Sequence, residues 1–313
     1  MAIKIVLSRK GMDTSIGKLA SPIFNKTNVL KMLSLPIPVL KENVEEYKQE
    51  KQREYFHKKI NKAVKENYGN TYLEIITKLV KKNRNRKWEH DVYHYDPLVD
   101  EKVLDSCGYQ ASLGQSKQAA KYLKSGFKKG DTIIFLFFGR FHFVDDEFKY
   151  IKKSGDPYKD NDIHVVWGSL IIKEYGKKQE EIDLNWHPHS IDYYKKQKEN
   201  NIIFTGKGQV YDFSKSRVLT KLERKCGREI SMAIWDKKKI INSNEVEDYI
   251  KFSEQSTRKN TAANKSDELY LRGQWQELII DQDCEYLLQQ LNLEYDPVEN
   301  ILVEANNKKY VSN

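Results

Sequence analysis

The chain has 313 residues, 32% of them charged, a mean hydropathy of −0.74 and a formal net charge of +9. That length can bury a sizeable core, and no apolar run approaches the roughly 20 residues of a membrane helix. The cysteines, Cys107, Cys226 and Cys284, are few, widely spaced and odd in number. This argues against a disulfide framework or a structural zinc and for a reducing, cytoplasmic setting.

In chain order, Ile3–Leu7 alternates as a first strand and not as a signal peptide. It runs into SRKGMD, where Ser8, Arg9, Lys10 and Asp13 gather cations and a carboxylate on one turn. Such a turn can hold a phosphate, or be an ordinary strand exit with an internal ion pair. SPIF and LSLPIP follow, and their prolines place them in edge strands or extended segments.

Residues 39–87 form a charged insertion with fourteen Lys/Arg against seven Asp/Glu, so +7 sits there and +2 in the remainder. Apolar spacing predicts helices over Leu40–Tyr68 and Thr71–Lys82, then the basic loop NRNR. A basic arm attracts phosphate; a solvated face has the same composition. In HDVYHYDPLVD, His94 and Asp96 share a face if extended, and Pro97 favours that conformation. Gln115 and Ser116 sit at the predicted start of a helix over Ser116–Lys124, where free N–H groups can hold an anion.

The stretch from Lys128 to Tyr175 carries two strongly apolar, β-branched and aromatic runs around a charged loop. Glycine inside a strand marks a bulge or a close backbone approach, so Phe138, Gly139, Arg140, Trp167 and Gly168 form the expected ligand site. The pattern of Gly-Asp, strand, insert, strand, Gly and strand resembles the PUA-like barrels, including the ASCH, EVE and YTH domains. These bind RNA or modified bases. The fold expected is therefore α+β, a small PUA-like barrel with flanking helices.

Farther on, NWHPHS brings Trp186, His187 and His189 around a proline, and NNIIFT reads as a strand. Short strands are expected at Val218–Thr220 and Ile230–Trp235, and a helix near Glu245–Phe252. A last strand falls at Arg272–Asp281, before a closing helix over Cys284–Leu293.

SRKGMD, SPIF, LSLPIP, HYDP, GQSKQAAKYL, GDTIIFLFFGRF, DIHVVWGSLI, HPHS, NNIIFT and RGQWQELIID occur in this order. Together they resemble the nucleotide modification associated domain 3 family over nearly the whole chain, read as a single module spanning 1–313. The resemblance implies association with phage and bacterial DNA-modification systems, and with their partner proteins. It implies no particular activity. The chain departs from the pattern in its long charged segment, and at Leu98 and Val99, where charged residues are expected. That departure counts against a metal role for this loop.

The seven histidines raise a metal reading through His94, Asp96, His142, His164, His187 and His189. No HExxH or comparable spacing is present, nor any P-loop, GxGxxG, GxSxG or zinc-deaminase signature. No metal and no cofactor are assigned. One expectation is a module recognising nucleic acid or a modified nucleotide: aromatic faces at Phe138, Trp167 and Trp186, phosphate contacts from Arg9, Lys10 and Arg140. The other is an enzyme of nucleotide or DNA modification or restriction. Its candidate catalytic residues are Arg9, Lys10, Asp13, His94, Asp96, His187 and His189.

Overall fold

The structure is a computed structural model describing residues 2–12, 19–40, 51–80, 88–176, 187–190, 200–222, 231–240, 250–251, 268–270, 277–280 and 283–305. The chain opens with β1 (Ile3–Arg9), β2 (Ser21–Lys26), β3 (Val29–Met32) and β4 (Ile37–Leu40). Helices α1 (Lys51–Tyr68) and α2 (Tyr72–Leu79) follow, then β5 (Trp88–His94), α3 (Glu101–Cys107), β6 (Ser112–Ser116) and α4 (Lys117–Gly126). The long strands β7 (Thr132–Phe143) and β8 (Ile163–Ile172) flank the short α5 (Pro157–Asp160). After them come β9 (Asn201–Thr205), β10 (Lys207–Val210), β11 (Ile234–Asp236), β12 (Ile250–Lys251), β13 (Glu268–Tyr270) and β14 (Glu277–Ile280). Helix α6 (Cys284–Gln290) and the hairpin β15 (Leu293–Asp296) and β16 (Ile301–Glu304) close the described chain.

The architecture is mixed α+β around an eight-stranded sheet. Its main path is β10-β8-β7-β1-β14-β12, with β2 paired to β7 and β3 to β2. Strand β7 takes β1 in parallel along Thr132–Phe138 and β2 in parallel along Phe141–Phe143. The sheet therefore grows sideways from β7, and its outer strands β10 and β12 do not pair with each other. Among the described residues it is an open sheet, not the closed PUA-like barrel expected.

Register decides which side chains share a face, because successive side chains alternate across a strand. Arg9 is level with Phe138, and Arg140 with His164, which puts these four on one face. Ser8, Phe137 and Gly139 lie on the other. The β7–β8 register shifts between Phe137 and Phe138. At this bulge the Trp167 ring lies 5.6 Å from that of Phe137, on the Ser8 face. Both long strands are buried nearly throughout, as their composition predicts.

The helices within residues 39–87 partly match their sequence reading. Helix α1 buries Ile60, Ala63 and Val64, while residues 41–50 and the NRNR loop lie outside the described residues. Thr71 and Glu74 close a capping box at the start of α2. Two lysines of the basic face meet acids, Lys62 at Glu66 and Lys65 at Glu74. Ile250–Lys251, read as helix from sequence, is a strand paired to β14, and the rest of that expected helix, residues 245–249 and 252, is outside the described residues.

Candidate metal centre

Strand β5 delivers His94 at its end, and the chain passes through a cis Asp96–Pro97 bond into a bridge between Leu98 and Ser112. The i, i+2 spacing turns His94 and Asp96 toward a common space, as extended backbone requires. Into that space the turn Pro188–Ser190 presses His187 and His189. Nε2 of His94 lies 3.5 Å from Asp96 Oδ2, and Nε2 of His189 lies 3.4 Å from the same oxygen. Nε2 of His187 approaches the other oxygen, Oδ1, at 3.6 Å. Potential ligand atoms of His94, Asp96 and His189 all lie within 4.8 Å of one another.

The hydrogen bonds around the cluster give each ring a role. Asn201 Nδ2 donates to the His189 carbonyl at 2.8 Å, which turns Asn201 Oδ1 toward His189 Nδ1 at 2.9 Å. Nδ1 must then carry the proton, so a neutral His189 presents the Nε2 lone pair to a carboxylate oxygen. Two acceptors facing each other repel unless a proton or a cation lies between them. A tetrahedral ion with bonds of about 2.1 Å holds its ligand atoms about 3.4 Å apart, the spacing of the two nitrogen–oxygen approaches here. His187 differs: its Nδ1 accepts the His189 backbone N–H at 3.1 Å, so in the neutral ring Nε2 carries the hydrogen. The Gly114 N–H donates to Asp96 Oδ1 at 2.7 Å. Oδ1 is thus held by the protein, while Oδ2 faces His94 and His189.

Burial alone would raise the Asp96 carboxyl, but the rings of His187, His189 and His94, each placed to share a proton with it, hold it well below the usual range. Burial depresses His94 to about 4, partly offset by Asp96, so this imidazole is neutral near pH 7. Neutral imidazole and ionised carboxylate are the forms that bind a metal. Two nitrogens and one carboxylate oxygen suit a divalent first-row ion with positions left open for water or substrate. Asp96 lines a cleft of about 40 Å³ together with Gly11, Tyr95, Leu98 and Trp167. That space holds a few waters and is too small for a nucleobase.

The other expected residues fall into separate groups. Ser8 Oγ (3.3 Å), Lys10 Nζ (3.4 Å) and Gln115 Nε2 (2.6 Å) all donate to Glu277 Oε1, making a buried network. Gln115 and Ser116 lie in β6 and not in the first turn of a helix, and Ser116 caps α4 without a side-chain hydrogen bond. Phe138 packs edge-on to Trp235, ring centroids 4.8 Å apart. Arg140 Nη2 lies 2.5 Å from Asp162 Oδ2, and His142 Nδ1 lies 2.7 Å from the same carboxylate. These last residues occupy the sheet face of Arg9, away from Trp167.

Trp167 is 6% exposed, with its Nε1 3.6 Å from where a Gly139 Cβ would stand. Gly168 does not line the cleft beside Asp96: a Cβ there would come within 2.7 Å of the Gln209 carbonyl, so the glycine admits strand β10. Of the five central residues, Gly139, Trp167 and Gly168 group together, apart from Phe138 and Arg140. Asp13 and Trp186 lie outside the described residues.

Sequence reasoning missed Glu277, Asn201 and Asp162 as partners. Their signals were faint: an acid within the expected last strand, the second residue of NNIIFT, and an acid before the second central strand.

The fold and this centre define a mixed α+β protein with a histidine–aspartate site beside an open sheet. Compared with protein families, residues 4–281 match Nucleotide modification associated domain 3, and the chain belongs to that family, which ties it to nucleotide modification. No curated protein and no solved structure matches the chain.

Proposed function

We propose that this protein is a metal-dependent enzyme that acts on a nucleotide or nucleic acid within a DNA-modification or phage-defence system. Its metal is held by His94, Asp96 and His189. The observation that carries the reading is the pair of imidazole nitrogens turned on the single oxygen Asp96 Oδ2. A bound divalent ion would polarise a substrate oxygen or acidify a bound water there. The chain's own contribution is orientation. Gly114 holds Oδ1, Asn201 fixes the tautomer and ring plane of His189, and the walls around Trp167 restrict water. Recognition by stacking on Trp167 has less support, because the space beside the indole does not admit a base.

Elemental analysis of the purified protein, and after loading with Zn²⁺, Mn²⁺, Fe²⁺ or Ni²⁺, tests this directly. About one ion per chain is expected, lost in Asp96→Asn and His189→Gln variants that still melt cooperatively. A panel of nucleotides and DNA should then show turnover that chelation abolishes. A wild-type chain that takes up none of these ions overturns the reading.

A further inference from the structure

A second and larger cleft, about 290 Å³, shares Met32, Tyr68 and Val210 with the cleft beside Asp96. Three cationic side chains line it, Lys31, Lys102 and Arg217, against two carboxylates, Asp212 and Glu304. Its walls are fixed. Gln209 clamps the backbone of Leu302 through both Nε2 and Oε1, at 3.1 and 2.9 Å, seating the β15–β16 hairpin on β10. The Tyr211 hydroxyl donates to Ser169 Oγ at 2.6 Å.

Arg217 is the informative residue. It is 1% exposed, its guanidinium stands 4.8 Å over the Tyr211 ring, and Nη1 donates to the Asp212 carbonyl at 2.8 Å. Nη2 and Nε form the edge of the fork that receives two oxygens of one anion. Here Nη2 donates to Glu304 Oε1 at 2.9 Å, while Nε is buried with no partner among the described residues. The Glu304 side chain is 69% exposed, so its pairing is screened and easily exchanged. A buried guanidinium with half its fork unused, beside Lys102 and beside Lys31, which pairs with Asp212 at 2.6 Å, has the chemistry to receive an oxyanion.

We propose that this cleft binds the phosphate of a nucleotide, the phosphate displacing Glu304 from Arg217 with Lys102 and Lys31 beside it. The choice of a nucleotide rests on the enzyme reading above. The shared wall at Met32, Tyr68 and Val210 would carry the rest of the ligand toward Asp96.

Calorimetric titration of the full chain with deoxynucleoside 5′-monophosphates, the matching nucleosides and inorganic phosphate tests this. Monophosphates should bind at least tenfold more tightly than nucleosides. Lys102→Glu, an exposed change, should weaken them at least tenfold, whereas Glu304→Gln should tighten them about threefold. Arg217→Lys, if folded, should behave like Lys102→Glu. Asp96→Asn separates the two proposals. Phosphate binding that survives it and still responds to Lys102→Glu supports the cleft, even if the chain takes up no metal. Monophosphates binding no better than nucleosides, or an affinity indifferent to both Lys102→Glu and Glu304→Gln, overturns it.

Discussion

Gly114 sits at the tightest point of the proposed metal centre. A Cβ on it would stand 2.3 Å from His189 Cδ2 and 2.7 Å from His187 Cε1, far inside contact distance. Both rings are held from behind, His189 by Asn201 and His187 by the turn itself, so they have little room to retreat. Gly114→Ala should therefore push the imidazoles off Asp96. Overpacking of this kind costs about 1–3 kcal/mol. The larger effect should be on metal content, because a ligand displaced by even half an ångström spoils the coordination. Measured together, melting should fall modestly and bound metal should fall to background. Full metal occupancy in the variant would show that the rings are not first ligands.

Strand β6 is the element that joins the parts of the site. Consecutive residues address different partners: the Gly114 N–H reaches Asp96 and the Gln115 side chain reaches Glu277. Glu277 in turn collects Ser8 and Lys10, so one carboxylate ties together β1, β6 and β14. Lys10 and Glu277 have side chains only 6% and 3% exposed, so removing one partner strands a charge away from water. Glu277→Gln should destabilise the chain by about 3–5 kcal/mol, and Lys10→Met added to Glu277→Leu should recover much of that. Denaturant melts of the three chains decide it, and a double variant no more stable than Glu277→Gln would contradict the account. This element also marks where reading the sequence stops. The apolar runs of β7 and β8 announce themselves by composition. SLGQS has one large apolar residue and takes its strand identity from pairing with Asn201–Thr205, far away in the chain. His94, Asp96, His187 and His189 were legible as candidates one by one, but their convergence depends on that same non-local pairing. The β15–β16 hairpin escaped for a related reason, since its short alternation follows directly on a helix pattern.

Over the whole molecule, pH reports on the face of the sheet opposite the His94, Asp96 and His189 cluster. His164 is buried there, accepting the Trp235 indole N–H at Nδ1 across 2.9 Å. Burial, reinforced by Arg9 on β1 and Arg140 on β7 and opposed by Asp162, depresses His164 from 6.5 to about 3. Asp162 is also held below the usual carboxylate range: burial would raise it, but His142 and Arg140 outweigh that. For a group depressed in the folded state, the unfolded chain binds the extra proton between the two values. Stability is then intact above about 6.5 and is lost as pH falls toward 3, by about 1.4 kcal/mol per pH unit from His164. At the other end, burial raises Tyr68, Tyr72 and Tyr211 above their ordinary 10, so the folded chain keeps protons that the unfolded chain releases. Stability should fall again above pH 10. Unfolding free energies measured from pH 4 to 8 should give a steeper acid limb for the wild type than for His164→Gln. The two curves should part below about 6.5 and run parallel above it. Equal slopes throughout would mean that His164 takes up its proton in the folded chain as readily as in the unfolded one.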